Sequence, residues 1–532
     1  MPEISPHDTY TSPLASRNAS EEMCRIWSPR HKFNAWRRIW LAVAEAQYEV
    51  TKDWGTDKDQ RARSTSEGPD DPTLACASGS SGVGASGPLV TREQVEELRA
   101  VVERGISDQE LARAGELEAD LRHDVMAHVH CLGEQCPKAK PIIHLGCTSQ
   151  DVVCNADLIL LDASVRLIAV KAARATMSLC NRANEFATFP TLGFTHYQPA
   201  QPTTVGRRLA GWAHDLEILQ YRISQLRTQG FIRLRGLRGA TGTQASFLSL
   251  LNDEHHRVDQ FERSFIAHLG VQSQLSCEAY GLTGQTYPRC IDTFILADLA
   301  SVAAVLHKIA TDIRLLSNRK EIDEPFGDKQ IGSSAMPYKR NPMKCERICG
   351  LTRFVMNLVG NAYDTAATQW LERTLDDSSN RRLSLPEAFL ALDGALDLMH
   401  TVASGLVVNE AMVRKNLMSE LPFLATENIM MEAVKLGGDR QDLHEKIRVH
   451  AQAAGHRVKQ EGLDNDLIER LRTDSAFASV HHLLTEDQLL DPMKYVGRAV
   501  EQTERFLKEV VEPLREHYGD QLKDLGSSDR GV

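Results

Sequence analysis

Ser333, Ser334, Lys339 and Arg340 fall within twelve residues, "IGSSAMPYKRNP" at 331–342. Hydroxyls beside fixed cations suit the removal of a proton from carbon, because the cations stabilise the negative charge left behind. Serine is a poor base in water. To remove a proton it would need desolvation together with adjoining positive charge that favours its alkoxide, and Lys339 and Arg340 supply the charge. Gly332 to Ala335 are small and favour turns, whereas Pro337 and Pro342 stiffen the exit into the next helix. The stretch reads either as a solvated basic loop or as a lid with a mobile front and a rigid back.

A second candidate is His196 in "GFTHYQPAQPTTVG", residues 193–206, flanked by Thr195, Tyr197, Gln198 and Gln201. Histidine titrates near neutral pH and can donate a proton there. In "LRHDVMAHVH", residues 121–130, His123 and His128 stand five apart where a zinc helix of the HExxH kind needs four. Arg122 and His123 are therefore read as donors to an anion, and no metal is expected. In "ERTLDDSSNRR", residues 372–382, Arg373, Ser378, Arg381 and Arg382 suit a phosphate or carboxylate, unless Asp376 and Asp377 merely neutralise them. Thr148 and Ser149 in "HLGCTSQD" stand at a helix start, either as simple caps or as an anion site.

Long helices must position these groups. From Ser149 to Ala187 apolar residues recur at three- and four-residue spacings without Pro or Gly, with Asp151 in the first turn and Pro190 beyond the end. Similar patterns cover 203–229, 289–318, 342–365 and 384–406, and strand-like alternation is nearly absent. The expected fold is all-α: a helical N-terminal domain (1–147), a central bundle of long helices (148–408) carrying the 331–342 segment, and a helical C-terminal domain (409–532). Residues 64–89, rich in Ser, Gly, Pro and Asp, read as a flexible insertion. Its glycine pattern at 82–87 follows no strand, so a dinucleotide site is not expected.

The formal charge of −11 over 532 residues argues against a broad nucleic-acid surface, but not against a local arginine cluster for a small anion. Charged residues interrupt the apolar runs, so no membrane span is expected, and with no visible secretory leader the chain is expected to be cytoplasmic. Eleven scattered cysteines read as reduced thiols, with Cys345 and Cys349 on a buried helix face.

Together these segments resemble the aspartase/fumarase superfamily, whose signature GSSxMPxKxNP is met in full at 332–342. The Tyr-Lys-Arg after Met-Pro, with "RHDVMAHVH", "GLTGQTYPR" and "ERTLDDSSNRR", is similar to the animal and fungal branch that cleaves adenylosuccinate. The resemblance implies a homotetramer with a twenty-helix core and active sites shared between subunits. It implies β-elimination of fumarate from adenylosuccinate, giving AMP, and from succinylaminoimidazole carboxamide ribotide (SAICAR), giving AICAR, without cofactor or metal.

Carried over by position, Ser333 is the implied base and His196 the implied acid, with His123 beside it. Lys339 and Asn341 would stabilise the aci-carboxylate, and Glu346 would orient His196 or Lys339. Thr148, Ser149 and Gln285 would hold the succinyl part, with Thr195 beside His196. Arg17, Arg122, Asp124, Arg347, Arg373, Ser378 and Arg382 would hold the nucleotide. Asn18 stands where this branch usually has tyrosine, so that contact is an open expectation. The alternatives are another fumarate-releasing lyase, such as one acting on argininosuccinate, or a non-catalytic protein on the same fold. The first would not need the Arg-Ser-Arg set, and the second would not need His196, Ser333 and Lys339 together.

Overall fold

The computed structural model describes residues 10–54, 87–273, 278–327, 329–485 and 491–525. Of the expected insertion at 64–89 and its glycine pattern, all but residues 87–89 lie outside the described residues. The fold is all-α. Its principal helices are α1 (Pro29–Thr51), α2 (Asp124–Gln135), α3 (Ser149–Glu185), α4 (Val205–Thr228), α5 (Cys290–Asn318), α6 (Met343–Ala367), α7 (Asp376–Ser404) and α8 (Ala499–Asp524). Four of the five long segments read from periodicity agree with α3 to α6 within about two residues at each end. The fifth does not: α7 begins eight residues before the expected 384 and continues through Pro386. Asp376 and Asp377 favour that early start, since carboxylates in a first turn complement the helix dipole.

The chain forms two compact units. The first comprises Met1–Leu167, Arg222–Asp298 and Asn357–Leu390; the second comprises Ile168–Tyr221, Leu299–Met356 and Ala391–Val532. In the first, Trp36, Ile39, Trp40 and Val43 of α1 pack into one apolar cluster with Val125 and Leu132 of α2, Val152 and Leu160 of α3, and Phe247, Phe261 and Phe265. Each such side chain contributes roughly 1.5–3 kcal/mol by leaving water. His128, from the zinc-like pattern, belongs to this cluster: its ring stacks on Phe33 at 3.8 Å and meets the edge of Trp36 at 5.5 Å. Burial, aided by the Arg37 charge, lowers its pKa to about 4. Among the described residues no group of three or more His, Cys, Asp or Glu is placed to hold a metal.

In the second unit, Lys171 on α3 lies between Asp393 and Asp397 of α7, 2.6 and 2.8 Å away, and Trp212 of α4 donates its indole N–H to Asp312 of α5 at 2.9 Å. A separate apolar cluster includes Ile429, Leu443, Leu467, Phe477 and Val480, and Leu514 and Tyr518 of α8 cover Val170 and Ala173 of α3. Cys345 and Cys349 lie buried on α6, as expected. By length and composition α5 is apolar enough to cross a membrane, with a window of mean hydropathy 1.6, yet 56% of that window is buried inside the protein, as in a core helix.

Among the described residues two short ladders interrupt the helices. β1 (Pro190–Thr195) pairs antiparallel with β2 (Gln198–Thr204), and Ile322–Asp323 pairs with Val407–Val408. The sequence reading had no strand at 190–204.

Near-complete burial works to raise the Glu110 carboxyl. The Ser107 amide and hydroxyl, with the Arg37 charge, overcome it and leave its pKa at about 2. A carboxyl depressed on folding contributes stability that is complete above its unfolded pKa of ~4.5 and is lost as pH falls towards about 2. Between roughly pH 6 and pH 3, wild type is expected to lose about 2 kcal/mol more unfolding free energy than Glu110→Gln. Urea titrations at the two pH values measure it, and parallel losses would refute the assignment.

Candidate active site

Each unit gathers part of the expected chemistry. In the first, the turn before α3 rests on Asp151, a fully buried carboxylate. It accepts the Thr148 and Arg238 backbone amides, both at 2.8 Å, the Gly239 amide at 3.1 Å, and a guanidinium N–H of Arg235. Thr148 and Ser149 are thereby held at the start of a 37-residue helix. His123 caps α2: its Nδ1 accepts the Met126 amide at 3.3 Å, which leaves the proton on Nε2, and Nε2 faces Ser149 Oγ at 3.4 Å. The structure thus brings His123 and Ser149 together.

The arginines come from the first turns of α7 and the residues before it. Arg373 Nη1 donates to Gln285 Oε1 at 3.2 Å, and its Nη2 lies 3.3 Å from Asp377. Asp377 also accepts Arg289 at 2.6 Å, so one buried carboxylate serves two cations. Arg381 is buried against Asp292 at 2.7 Å and Asp157 at 3.0 Å, and donates to the Tyr287 hydroxyl. Arg382 reaches Asp124 at 2.6 Å. Burial works to raise the Asp124 carboxyl, but the Arg382 hydrogen bond and charge and the Val125 amide hold it below its ordinary value. Asp376, by contrast, is exposed. Only one of the two aspartates weighed as neutralisers is therefore built into the interior.

A cavity of about 340 Å³ opens beside this set, lined by Lys32, Asp157, Ser378, Arg381 and Arg382 on one side and by Trp27, Phe33 and Leu385 among its apolar residues. Lys32 and Arg289 were not among the residues singled out as binding groups, whereas Arg381 was weighed with the 372–382 set. Lys32 packs over the Phe33 and Trp36 rings at 5.4 and 5.0 Å. Desolvation lowers its pKa, and the nearby Arg382 charge does so too, against the pull of Asp157. The sequence signal for it was one lysine on an otherwise apolar helix face. Asp377, the partner of Arg289, lies 88 residues away in sequence, and Asp292 and Asp157, the partners of Arg381, lie 89 and 224 away, so none left a local signal. Arg17 and Arg122 are exposed, and the Asn18 amide donates to its own turn, at Pro13 O, 3.0 Å away.

In the second unit His196 and Tyr197 form the tip of the β1–β2 hairpin, between the paired residues Thr195 and Gln198. Both have positive φ, 51° and 58°, which matches the twist of a two-residue hairpin turn but is unusual for non-glycine residues. Pairing holds the turn, with Tyr197 OH reaching Leu315 O at 3.3 Å. The ladder slips between Leu192 and Phe194, and Gly193 permits it, since a Cβ there would lie 2.4 Å from Gln201 O. Thr195 and His196 are exposed.

The 331–342 segment is a loop closed on itself. A Cβ on Gly332 would meet Lys339 O at 2.1 Å, and Asn341 Nδ2 donates to Gly332 O at 2.8 Å. Ser333 Oγ accepts the Met336 amide at 3.1 Å and is half-buried, whereas Ser334 is exposed. Lys339 is exposed, and Arg340 lies over the Phe326 ring at 5.3 Å. Glu346, in the first turn of α6, lies 3.8 Å from Arg314 Nη2. The structure records no contact from it to His196 or Lys339 among the described residues. Arg347 follows it, half-buried.

Chemically, the first unit offers clustered guanidiniums and hydroxyls for an anionic ligand. The second offers a serine that already receives a backbone N–H, a lysine on the same loop, and a histidine at a fixed turn. Removing Asp377 leaves Arg289 buried without its counter-charge, so Asp377→Ala is expected to lower unfolding free energy by about 3–5 kcal/mol. Asp376→Ala at the exposed neighbour is expected to cost under ~0.5 kcal/mol. Equal effects in chemical denaturation would contradict the assigned difference.

Residues 90–357 match the family model described as lyase, and residues 422–506 match the adenylosuccinate lyase C-terminus. The chain is 44% identical over 525 residues to adenylosuccinate lyase of Saccharomyces cerevisiae, covering 98% of this chain and 99% of that one. It is 44% identical over 507 residues to that of Schizosaccharomyces pombe, covering 95% of each. The match to that of Schistosoma mansoni is 41% over 516 residues, covering 97% of this chain and 98% of that one. Among solved structures, the fold is similar to 3-carboxy-cis,cis-muconate lactonizing enzyme from Pseudomonas putida, with a TM-score of 0.72, 24% identity, and coverage of 94% of this chain and 99% of that one. It is likewise similar to fumarate lyase from Mesorhizobium sp. BNC1, at 0.72, 20% and the same coverages.

Proposed function

Because the chain belongs to the adenylosuccinate lyase family and is a C–N lyase, we propose that it eliminates fumarate from adenylosuccinate to give AMP, and from SAICAR to give AICAR. The observation that carries this reading is the Arg373, Ser378 and Arg382 set on and just before α7, two of its arginines fixed by carboxylates. A fumarate-releasing lyase whose substrate lacks a phosphate, such as argininosuccinate, has no use for it.

Ser333 removes the proton from the succinyl Cβ. The Met336 N–H that its oxygen accepts supports the alkoxide form, which is the reason to assign the base to Ser333 and not to Ser334. The charge moves into the adjoining carboxylate as an aci-carboxylate, which Lys339 and Asn341 stabilise. The C–N bond then breaks, the double bond of fumarate forms, and His196 gives its proton to the departing nitrogen. Thr148, Ser149 and Gln285 hold the succinyl carboxylates, with His123 and Thr195 beside the acid. Arg17, Arg122, Asp124, Arg347, Arg373, Ser378 and Arg382 hold the nucleotide, with Asn18 at the rim. Glu346 acts through Arg314 in the state described here, and turns towards His196 or Lys339 when substrate binds.

The working protein is a cytoplasmic homotetramer, in which neighbouring copies complete each active site around a twenty-helix core. Its three domains are 1–147, 148–408 and 409–532. What supports the shared site is that, among the described residues, Ser333 Oγ is engaged by the Met336 amide and no recorded contact joins it to His196 within one chain.

Purified protein is expected to release fumarate from adenylosuccinate and not from argininosuccinate, followed by absorbance. The opposite preference would sink the substrate assignment. Mixing inactive His196→Ala with inactive Ser333→Ala is expected to restore roughly a quarter of wild-type activity, since random assortment into shared sites pairs two intact residues in that fraction. No recovery after subunit exchange would contradict the shared site.

A further inference from the structure

A second basic cavity, of about 480 Å³, lies in the second unit and takes no part in the elimination derived above. Gly193, Phe194 and Thr203 of the His196 hairpin form one wall, Arg207 and Arg208 of α4 another, and Val496, Arg498, Ala499 and Gln502 at the start of α8 a third. Three guanidiniums line it and, among the described residues, no carboxylate does, in a chain whose formal charge is −11.

Its arginines are only partly engaged. Arg207 Nε donates to Gln502 Oε1 at 2.9 Å, a neutral acceptor that leaves its charge unmatched. Arg208 gives one N–H to Leu192 O at 2.6 Å, while its Nη1 is buried and has no acceptor among the described residues. Desolvation lowers the pKa of this guanidinium, against the pull of Glu321 and Asp312. Those carboxylates are themselves held by Arg319 at 2.9 Å and Lys308 at 2.7 Å. Arg498 precedes the 26-residue α8 as its cap residue, with no side chain capping the helix. Glu501 sits in the first turn of α8 but does not line the cavity.

We propose that this cavity is a second anion site, taking a small phosphate-bearing molecule against the back of the hairpin that carries His196. Arginine forks match a phosphate's oxygens, and the start of α8 adds the favourable end of a helix dipole. The volume exceeds what a bare phosphate needs and falls in the range of small-molecule sites, ~300–1,000 Å³. Gly193 and Phe194 stand two or three residues from His196 on β1. A ligand bridging the strands to α4 and α8 would therefore fix the hairpin and alter proton donation at its tip. That second step rests on the role proposed for His196; the binding step does not.

The test titrates inorganic phosphate into the full-length protein by calorimetry, at ionic strength held constant with chloride. Wild type is expected to show two classes of site. Arg382→Gln should lose one class, and Arg498→Ala and Arg207→Gln should each weaken the other at least tenfold, with thermal melts confirming that the variants fold. A single class removed by Arg382→Gln alone would overturn the proposal, whether or not the protein turns over adenylosuccinate. At saturating adenylosuccinate, phosphate should change kcat at least twofold in wild type and leave kcat of Arg498→Ala unchanged. An unchanged wild-type kcat, or an equal change in the variant, would overturn the link to His196.

Discussion

A guanidinium can be offered to a ligand at a fixed place only if something in the protein holds it, and here buried and half-buried carboxylates do so. Asp377 serves both Arg289 and Arg373, Asp292 and Asp157 serve Arg381, and Asp151 serves Arg235 while capping the turn before α3. Exchanging such pairs for apolar side chains often leaves stability unharmed, whereas losing one partner is costly. Their value in this fold is geometric. They set where Arg373, Gln285, Thr148 and Ser149 stand before any ligand arrives, so that less ordering remains for binding to supply.

The same principle of prior fixing recurs in the second unit by other means. His196 is held by strand pairing in a backbone conformation that a free loop would seldom adopt, and Gly193 allows the slip in register behind it. The 331–342 loop is pinned at its neck by Asn341 against Gly332, while Ser334 to Arg340 remain exposed. A pinned neck and a free tip are what a closing element needs. Asn341 thus closes the loop from which it would act on the substrate.

Much of this was legible in the sequence because the long helices are long. Helices of 24 to 37 residues with three- and four-residue spacing leave little room for another reading, and α3 to α6 fall where periodicity put them. The hairpin was not legible, because Pro199 and Pro202 and the glycine at 193 argue against regular structure. In a two-stranded ribbon each strand keeps one edge free, and a proline whose nitrogen faces that edge costs no ladder bond. The early start of α7 was missed because its first two turns, "DDSSNRR", carry no apolar residue, so periodicity began only beyond them. Among site residues, the signature loop, His196 and the arginines were visible as residue types. The buried partners that hold them were not, since Arg289 and Asp377 are 88 positions apart and meet only through the fold.

The central claim is that one serine of the pair removes the proton, supported by the backbone N–H that reaches its oxygen. The most direct measurement is kcat for fumarate release from adenylosuccinate by Ser333→Ala and Ser334→Ala, with AMP affinity measured alongside to show that the binding set is intact. The account predicts a loss of at least about 10³-fold for Ser333→Ala and less than about tenfold for Ser334→Ala, at unchanged AMP affinity. A Ser333→Ala enzyme that keeps near-normal kcat, or a greater loss in Ser334→Ala, would contradict it.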